Sequence, residues 1–344
     1  MVIRWGSHLY FSHLSSPPPR FPIINPSFQL TTSFLSNSLK GNVLFNDELD
    51  GFMKIHTECV PCLLKRCIFE AQLSTTNPHL QQRIVKESLQ LLSKIYDPNK
   101  VSATVASILH QHVYALLDNS DPYYSLKQQS NTVALSLLPQ VTKLVEESED
   151  SLKASMLCSI IGNMMDFGIE GASETPSDLL TRFNKFYEQG FAYDDFKLVC
   201  SRLARAKKIL FFTDNCGEIV FDKLLCQQLK QRFSKLEIIL VVKGTPVLSD
   251  ATLEDALALS FSTVVDEIET TGCFAVGVDF SCLPKEVVEH LKSSDLIFCK
   301  GMANYEAFSE SCYSPIIYLL RTKCHPIAAS MNVPVHGNIL KMYS

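Results

Sequence analysis

Apolar residues recur at spacings of three and four from Thr57 to about Arg205, the period of helices that bury one face. Residues 63–73, 82–95, 102–117, 131–147, 152–165 and 177–189 are predicted as helices on that basis. Pro61 stands where a helix can begin without losing a needed backbone donor. Asp178, near the start of another, suits the helix dipole. Pro139 is expected to kink or split the fourth helix. From Lys208 the pattern changes to short apolar runs closed by polar clusters. Residues 209–213, 236–242, 295–299 and 315–320 read as buried strands, with helices at 218–233 and 251–259. Strands alternating with helices predict an α/β domain on a mostly parallel sheet, preceded by an all-helical domain.

Residues 1–52 follow neither pattern. No Asp or Glu precedes Asp47, while Arg4, Arg20 and Lys40 are positive, serine is frequent, and Pro17, Pro18 and Pro19 stand together. Such a segment is either an organellar transit peptide or an upstream extension with Met53 as the working first residue. Disorder is the expectation for it. The chain thus divides into 1–52, a helical domain at 53–205 and an α/β domain at 206–344. With 344 residues, 46% of them hydrophobic, two domains can bury a sizeable core.

Charged residues make up 19% of the chain and the net charge is −5. That argues against a nucleic-acid polymer held on a basic surface, yet one local lysine cluster suffices for a small anion. No apolar run approaches the roughly 18 residues of a membrane span. The 12 cysteines are scattered, Cys200, Cys226 and Cys299 inside apolar segments. They read as buried thiols in a reducing compartment rather than a disulfide framework. The cytoplasm is the expected location, or an organelle if residues 1–52 are a transit peptide.

The groups able to do chemistry fall at strand ends. Asp214, Asn215, Gly217 and Glu218 follow the first strand; Lys243, Gly244 and then Ser249-Asp250 follow the second. Lys300, Gly301, Asn304, Tyr305 and Glu306 follow a later one, and Arg321-Thr322-Lys323 the last. In a parallel sheet these clusters converge on one edge, where ligands of such sheets bind. Asp214, Asn215 and Asp250 supply hard oxygens suited to Mg²⁺ or Mn²⁺, and such an ion polarises a phosphoryl oxygen and activates water. Lys323 and Lys300 can neutralise phosphate charge. Gly217 and Gly301 permit tight turns and close backbone approach. A plainer reading exists: Asp214, Asn215 and Asp250 are good helix caps, and a single lysine is ordinarily a solvated charge. Their coincidence at consecutive strand ends favours chemistry.

Cys59 and Cys62 form a single CxxC, with His56 and Cys67 near in sequence. A structural zinc wants four ligands and a thioredoxin-like pair wants a βαβ setting, so structural thiols and a metal or redox role both stay open. His110 and His112 lie two apart in a helical stretch, face different sides, and read as ordinary. Asn215 and Cys216 follow Asp214, so the paired aspartates of a haloacid-dehalogenase phosphatase are absent, as are a P-loop and a GxGxxG.

Five segments together resemble the damage-control phosphatase family: MKIHTECVPCLLKR (53–66), TDNCGEIVFDKLL (213–225), VVKGTPVLSDAT (241–252), DLIFCKGMANYEAF (295–308) and YLLRTKCHPIA (318–328). The first is similar to the opening of the archaeal-type branch, subfamily I, whose members carry a CxxC there. The resemblance implies a helical N-terminal part, a Rossmann-like α/β part and a divalent metal, Mn²⁺, Ni²⁺ or Co²⁺. It carries the metal ligands onto Asp214, Asn215 and Asp250, and the phosphate-binding lysine onto Lys323. It sets Glu218, Lys300, Gly301, Asn304 and Tyr305 around the substrate. On that ligand set the expected mechanism has Asp214 or Asp250 orient or deprotonate the attacking water, with Lys323 stabilising charge in the transition state. Cys216 replaces the family's usual Ala, and Met302 and Ala303 depart from its usual third motif. The expected activity is hydrolysis of small phosphomonoesters, either damaged or oxidised nucleotides or sugar phosphates. Two competing readings are a protein carboxyl methyltransferase using S-adenosylmethionine, proposed for a related branch, and a catalytically idle metal-binding module.

Overall fold

Seven strands form one sheet in the computed structural model, which describes residues 53–165 and 176–344. The expectations for residues 1–52 lie outside the described residues. The strands are β1 (Tyr193–Asp194), β2 (Lys208–Phe212), β3 (Glu237–Val242), β4 (Glu267–Thr270), β5 (Leu296–Lys300), β6 (Ile316–Arg321) and β7 (Asn338–Tyr343). Their order is β1-β7-β6-β5-β2-β3-β4, parallel throughout except between β6 and β7. The fold is therefore α/β on a mostly parallel sheet. The chain runs outward from β2 through β3 to β4, then returns to place β5 on the other side of β2. The direction of winding switches between β2 and β5, and a crevice opens at such a point beyond the carboxyl ends of the strands.

Alternation along the strands divides the core between two faces. Ile209, Phe211, Ile238, Leu240, Leu296, Phe298, Ile317 and Leu319 share one cluster, and Leu210, Phe212, Ile239, Val241, Ile297, Cys299 and Tyr318 share the other. The first face is covered by α5 (Ser151–Ile161), α7 (Phe196–Leu203), α8 (Glu218–Arg232) and α9 (Leu253–Ala258). The second is covered by α10 (Lys285–Ser293), α11 (Gly301–Phe308) and α12 (His325–Ser330).

The helical half packs in two groups. The first, α1 (Cys59–Ser74), α2 (Pro78–Ile95) and α3 (Ser102–Leu117), closes around Cys67, Ile84, Leu92, Leu109 and Val113. The second, α4 (Tyr124–Glu146) and α6 (Pro176–Gln189), shares a core with α5 and with Val220, Phe221 and Leu224 of α8. The described residues, 53–165 and 176–344, all fall in one compact unit. Helix α4 runs unbroken through Pro139. The carbonyl that loses its donor there belongs to Leu135, which is exposed, so water can satisfy it. Strands β1, β4 and β7 and helices α7 and α10 to α12 were not anticipated from the pattern. No helix among the described residues is long and apolar enough to cross a membrane.

The first helical group is pinned to α11 by a polar contact: Ser102 Oγ, at the start of α3, donates to Glu306 Oε2 at 2.6 Å. Burial pushes the Glu306 carboxyl from 4.5 to about 7, more than the Ser102 hydroxyl lowers it. A folded-state value above the unfolded one means that protonation favours folding. That contribution is complete below about pH 4.5 and is lost as pH rises through about 7. Relative to Glu306→Gln, the native chain should lose up to about 3 kcal/mol across that window in urea titrations; a difference that stays constant with pH would contradict it.

Candidate active site

Strand ends and the turns that follow them bring the predicted ligands together. After β2 the chain turns so that Asn215 pairs with Asp250 in an antiparallel bridge, and Ala251 N–H donates to the Asp214 carbonyl at 2.8 Å. Cys216 N–H donates to the Ser249 carbonyl at 2.8 Å, and Ser249 Oγ donates to Asn215 Oδ1 at 2.7 Å. These bonds lock the loops after β2 and β3 side by side. Asp214, Asn215 and Asp250 are left 6%, 7% and 4% exposed.

Lysines and one asparagine frame the carboxylates. Lys243 Nζ lies 3.2 Å from Asp250 Oδ2 and also donates to the Gly277 carbonyl. Asn163, in the short 3-10 turn after α5, donates from Nδ2 to Asp214 Oδ2 at 3.1 Å and to Glu218 Oε2 at 2.5 Å. Gly162 allows that approach: a Cβ there would meet Phe221 at 2.7 Å and the Glu218 backbone at 3.1 Å. Burial drives the Asp214 carboxyl well above its usual range, and the charges of Asp250 and Glu218 push the same way. The nearby Lys243 and Lys323 ammoniums act against them.

Gly301 closes the opposite side at the head of α11. Its φ of +74° is left-handed, and a Cβ there would fall 1.9 Å from Asp214 Oδ2. Only a glycine lets the end of β5 approach the end of β2 this closely. Asn304, one turn on, donates to the carbonyls of Thr213 and Lys300 at 2.9 and 2.8 Å, which ties α11 to both strands. Lys323 follows β6, half-buried, with its amide against Met302 Sδ at 3.3 Å. Met302, one of the two departures from the motif of the resembled family, thus abuts the backbone of Lys323.

Three residues expected around the substrate, Lys300, Glu218 and Tyr305, are buried and have partners within the protein. Lys300 is fully buried, and its ammonium is held by Glu218 Oε1, Asp222 Oδ1 (2.7 Å) and the Ser159 carbonyl (3.2 Å). Glu218 is equally buried and bridges Lys300 to Asn163. Tyr305, 1% exposed, bonds Ser330 Oγ at 2.9 Å and packs edge-on against Tyr318. The alternation along β5 carried the signal for Lys300: it shares a face with Phe298, which packs in the cluster with α8. Asn163 carried no such signal, because it lies in the helical half, 51 positions from Asp214.

Elsewhere, Cys59 and Cys62 open the first turn of α1. Among the described residues no third His, Cys, Asp or Glu joins them at ligating distance, and burial pushes the Cys59 thiol up. His110 is buried in a pair with Glu70 at 2.9 Å, while His112 faces Glu87 at 3.4 Å.

A divalent cation fits the residues present. Asp214, Asn215 and Asp250 provide hard oxygens. Beside them, Asn163 Oδ1 and Asn304 Oδ1 are buried acceptors with no hydrogen-bond partner, and clustered buried carboxylates are stabilised by a cation.

Two substitutions separate the layers of this arrangement. Lys300→Met should cost about 3–5 kcal/mol by stranding Glu218 and Asp222, read as a lowered denaturation midpoint; unchanged stability would remove the structural role given to this ammonium. Gly301→Ala should displace Asp214 and lower kcat/KM roughly 100-fold or more, and near-native turnover would show that the contact yields freely.

Comparison with known proteins follows the same lines. The family description "Damage-control phosphatase ARMT1-like domain" matches residues 55–339. A damage-control phosphatase of Archaeoglobus fulgidus is 37% identical over 290 residues, 84% of this chain and 99% of that one. The damage-control phosphatase PH1575 of Pyrococcus horikoshii is 30% identical over 283 residues, 82% of this chain and 96% of that one. The crystal structure of PH1575, described as a DUF89 family protein, superposes with a TM-score of 0.76 at 28% identity, covering 84% of this chain and 99% of its own.

Proposed function

We propose that this chain, which belongs to the damage-control phosphatase ARMT1-like family, is a divalent-metal-dependent phosphomonoesterase for small damaged metabolites. Family membership supports a phosphatase with a small phosphorylated substrate; the metal, the bond cleaved and the substrate class are our proposal. The observation that carries it is the meeting of Asp214, Asn215 and Asp250 between locked loops at the switch point of the sheet.

Asp214, Asn215 and Asp250 would hold the cation, with Mn²⁺, Ni²⁺, Co²⁺ and Mg²⁺ all compatible with a hard-oxygen set. When bound, it supplies Lewis-acid polarisation of a phosphoryl oxygen and lowers the cost of bringing water to phosphorus. Lys323, half-buried after β6, would offset phosphate charge as it builds in the transition state. Lys243 holds Asp250 in place from beneath. Asn163, donating to Asp214 Oδ2, fixes which carboxylate oxygen faces the reaction. Asp250 or the free oxygen of Asp214 takes the proton from the attacking water. Damaged or oxidised nucleotides and sugar phosphates are the substrates to try first. Nothing in the strand-end turns forms a glycine-rich cradle for S-adenosylmethionine, which leaves the methyltransferase reading without support.

The test is phosphate release from a panel of nucleotide and sugar phosphates with Mn²⁺, Co²⁺, Ni²⁺ and Mg²⁺. Asp214→Ala should abolish the metal-stimulated rate, and Lys323→Ala should lower it about 100-fold or more, both with native circular dichroism. Full turnover in the Asp214 variant would refute the ligand assignment, and methyl transfer from labelled cofactor in place of phosphate release would replace the proposed chemistry.

A further inference from the structure

Beyond the hard-oxygen site, three groups of metal-type side chains draw together among the described residues. In the first, Cys67 with Glu70 and His110, all three residues are buried with no path for a cation, and the carboxylate is held by His110 and by Tyr123 Oη at 3.4 Å. The second, Glu267, Glu269 and His290, includes two carboxylates of the edge strand β4, and exposed acids of that kind gather without a ligand. The third differs in chemistry and in how it is built.

Cys273, Asp279 and Cys282 belong to one loop, residues 271–284, between β4 and α10. Their Sγ and carboxylate oxygen atoms lie within 4.8 Å of one another. Cys282 Sγ donates to Asp279 Oδ2 at 3.5 Å, while Asp279 Oδ1 accepts from Ser281 N–H at 3.0 Å and Ser281 Oγ at 2.6 Å, a bond set that orients the carboxylate and from which a cation would displace only the thiol proton. Zinc bonds of about 2.3 Å to sulfur and about 2.1 Å to oxygen put tetrahedral neighbours roughly 3.6 Å apart. The sulfur–oxygen pair already has that spacing.

Backbone geometry sets the two cysteines face to face. Gly272 has φ +79°, and a Cβ on it would meet the Cys282 carbonyl at 3.1 Å and Pro284 at 2.9 Å. Gly244 behind it leaves no room either, since a Cβ there would lie 2.6 Å from the Cys273 nitrogen. A turn closed by Cys282 N–H to the Asp279 carbonyl, 3.1 Å, brings the carboxylate to the same side. The loop's inner side is bound: Gly277 accepts from Lys243, Val276 N–H donates to Ser107 Oγ at 2.9 Å, and Phe274 packs edge-on against Tyr114. Its outer side carries the two sulfurs and the carboxylate, half-buried at Cys273 and exposed at Asp279 and Cys282.

We propose that Cys273, Asp279 and Cys282 form a second metal site, for a thiophilic divalent cation of the zinc class, with water in the fourth position. Thiolates select zinc or cobalt over magnesium, manganese and calcium, so the two sites sort ions by softness. On binding, each cysteine releases its thiol proton to solvent and donates a sulfur lone pair to the cation; no oxidant is involved. The cation then fastens the outer side of a loop whose inner side holds Lys243, next to Asp250.

Cobalt titration of the full, reduced chain tests this, because thiolate-to-Co²⁺ charge transfer absorbs in the near ultraviolet and an all-oxygen site cannot produce it. One equivalent should raise the band and Zn²⁺ should remove it. Asp214→Ala should retain the band, so the outcome does not depend on the phosphatase reading. The double variant Cys273→Ser/Cys282→Ser should lack it, with native circular dichroism, and Asp279→Asn should weaken cobalt affinity at least about tenfold. No band in the reduced chain overturns the proposal. So does a band unchanged in the double variant, which would move the ligands to other thiols.

Discussion

A lysine ammonium with no access to water stands beneath the candidate site. Lys300 leaves the end of β5 and meets a carboxylate pair one turn apart on α8 and a carbonyl of α5. A buried charge is tolerated only when its hydrogen bonds are complete and its counter-charge is close. The ammonium therefore dictates where strand and helices stand relative to one another. The order passes upward through Glu218 to Asn163 and from Asn163 to Asp214, so the orientation of the uppermost carboxylate is set two residues below it. Ser159 Oγ, bonded to Asp222 at 2.6 Å, completes the base of the stack.

Charge balance follows from the same arrangement. Asp214, Asp250, Glu218 and Asp222 face Lys243, Lys300 and Lys323, one negative charge in excess if all are ionised. The elevated proton affinity of Asp214 comes first from its burial, with the neighbouring Asp250 and Glu218 charges adding to it. With the dication of the proposed mechanism the sum becomes positive, which suits an incoming phosphate and an increasingly charged transition state. The lysines differ in depth: Lys300 is sealed in, Lys243 is tied to Asp250 and Gly277, and Lys323 is the most exposed. Depth suits them to structure, to positioning and, in the proposed mechanism, to substrate in turn.

The sequence made the four central strands legible because each is a continuous apolar run buried on both faces. It missed β4, whose residues Glu267, Ile268, Glu269 and Thr270 carry a single apolar side chain, and β7, whose antiparallel place beside β6 is a tertiary fact. Asp214 and Asn215 stood out as candidates because they closely follow β2, and Asp250 because it lies in the loop between β3 and α9. Lys300 drew a ligand role because it stands next to a glycine-containing loop, whereas strand periodicity turns it inward onto Glu218 and Asp222. Asn163 could not be read at all: its helix carries no polar signature, and only packing of α5 on α8 delivers it to the carboxylates.

The asparagines of the helical segment carry a consequence for how the chain could be divided. Asn131 on α4 accepts from Gly217 N–H at 2.7 Å and donates to Asp255 at 3.1 Å, bracketing the turns after β2 and β3 from outside the sheet. A polypeptide starting at residue 206 would possess every anticipated ligand yet lack Asn131 and Asn163. Neither half thus holds the whole arrangement: one carries the loops, the other the amides that brace them, so a fragment cut between them would keep the former without their support.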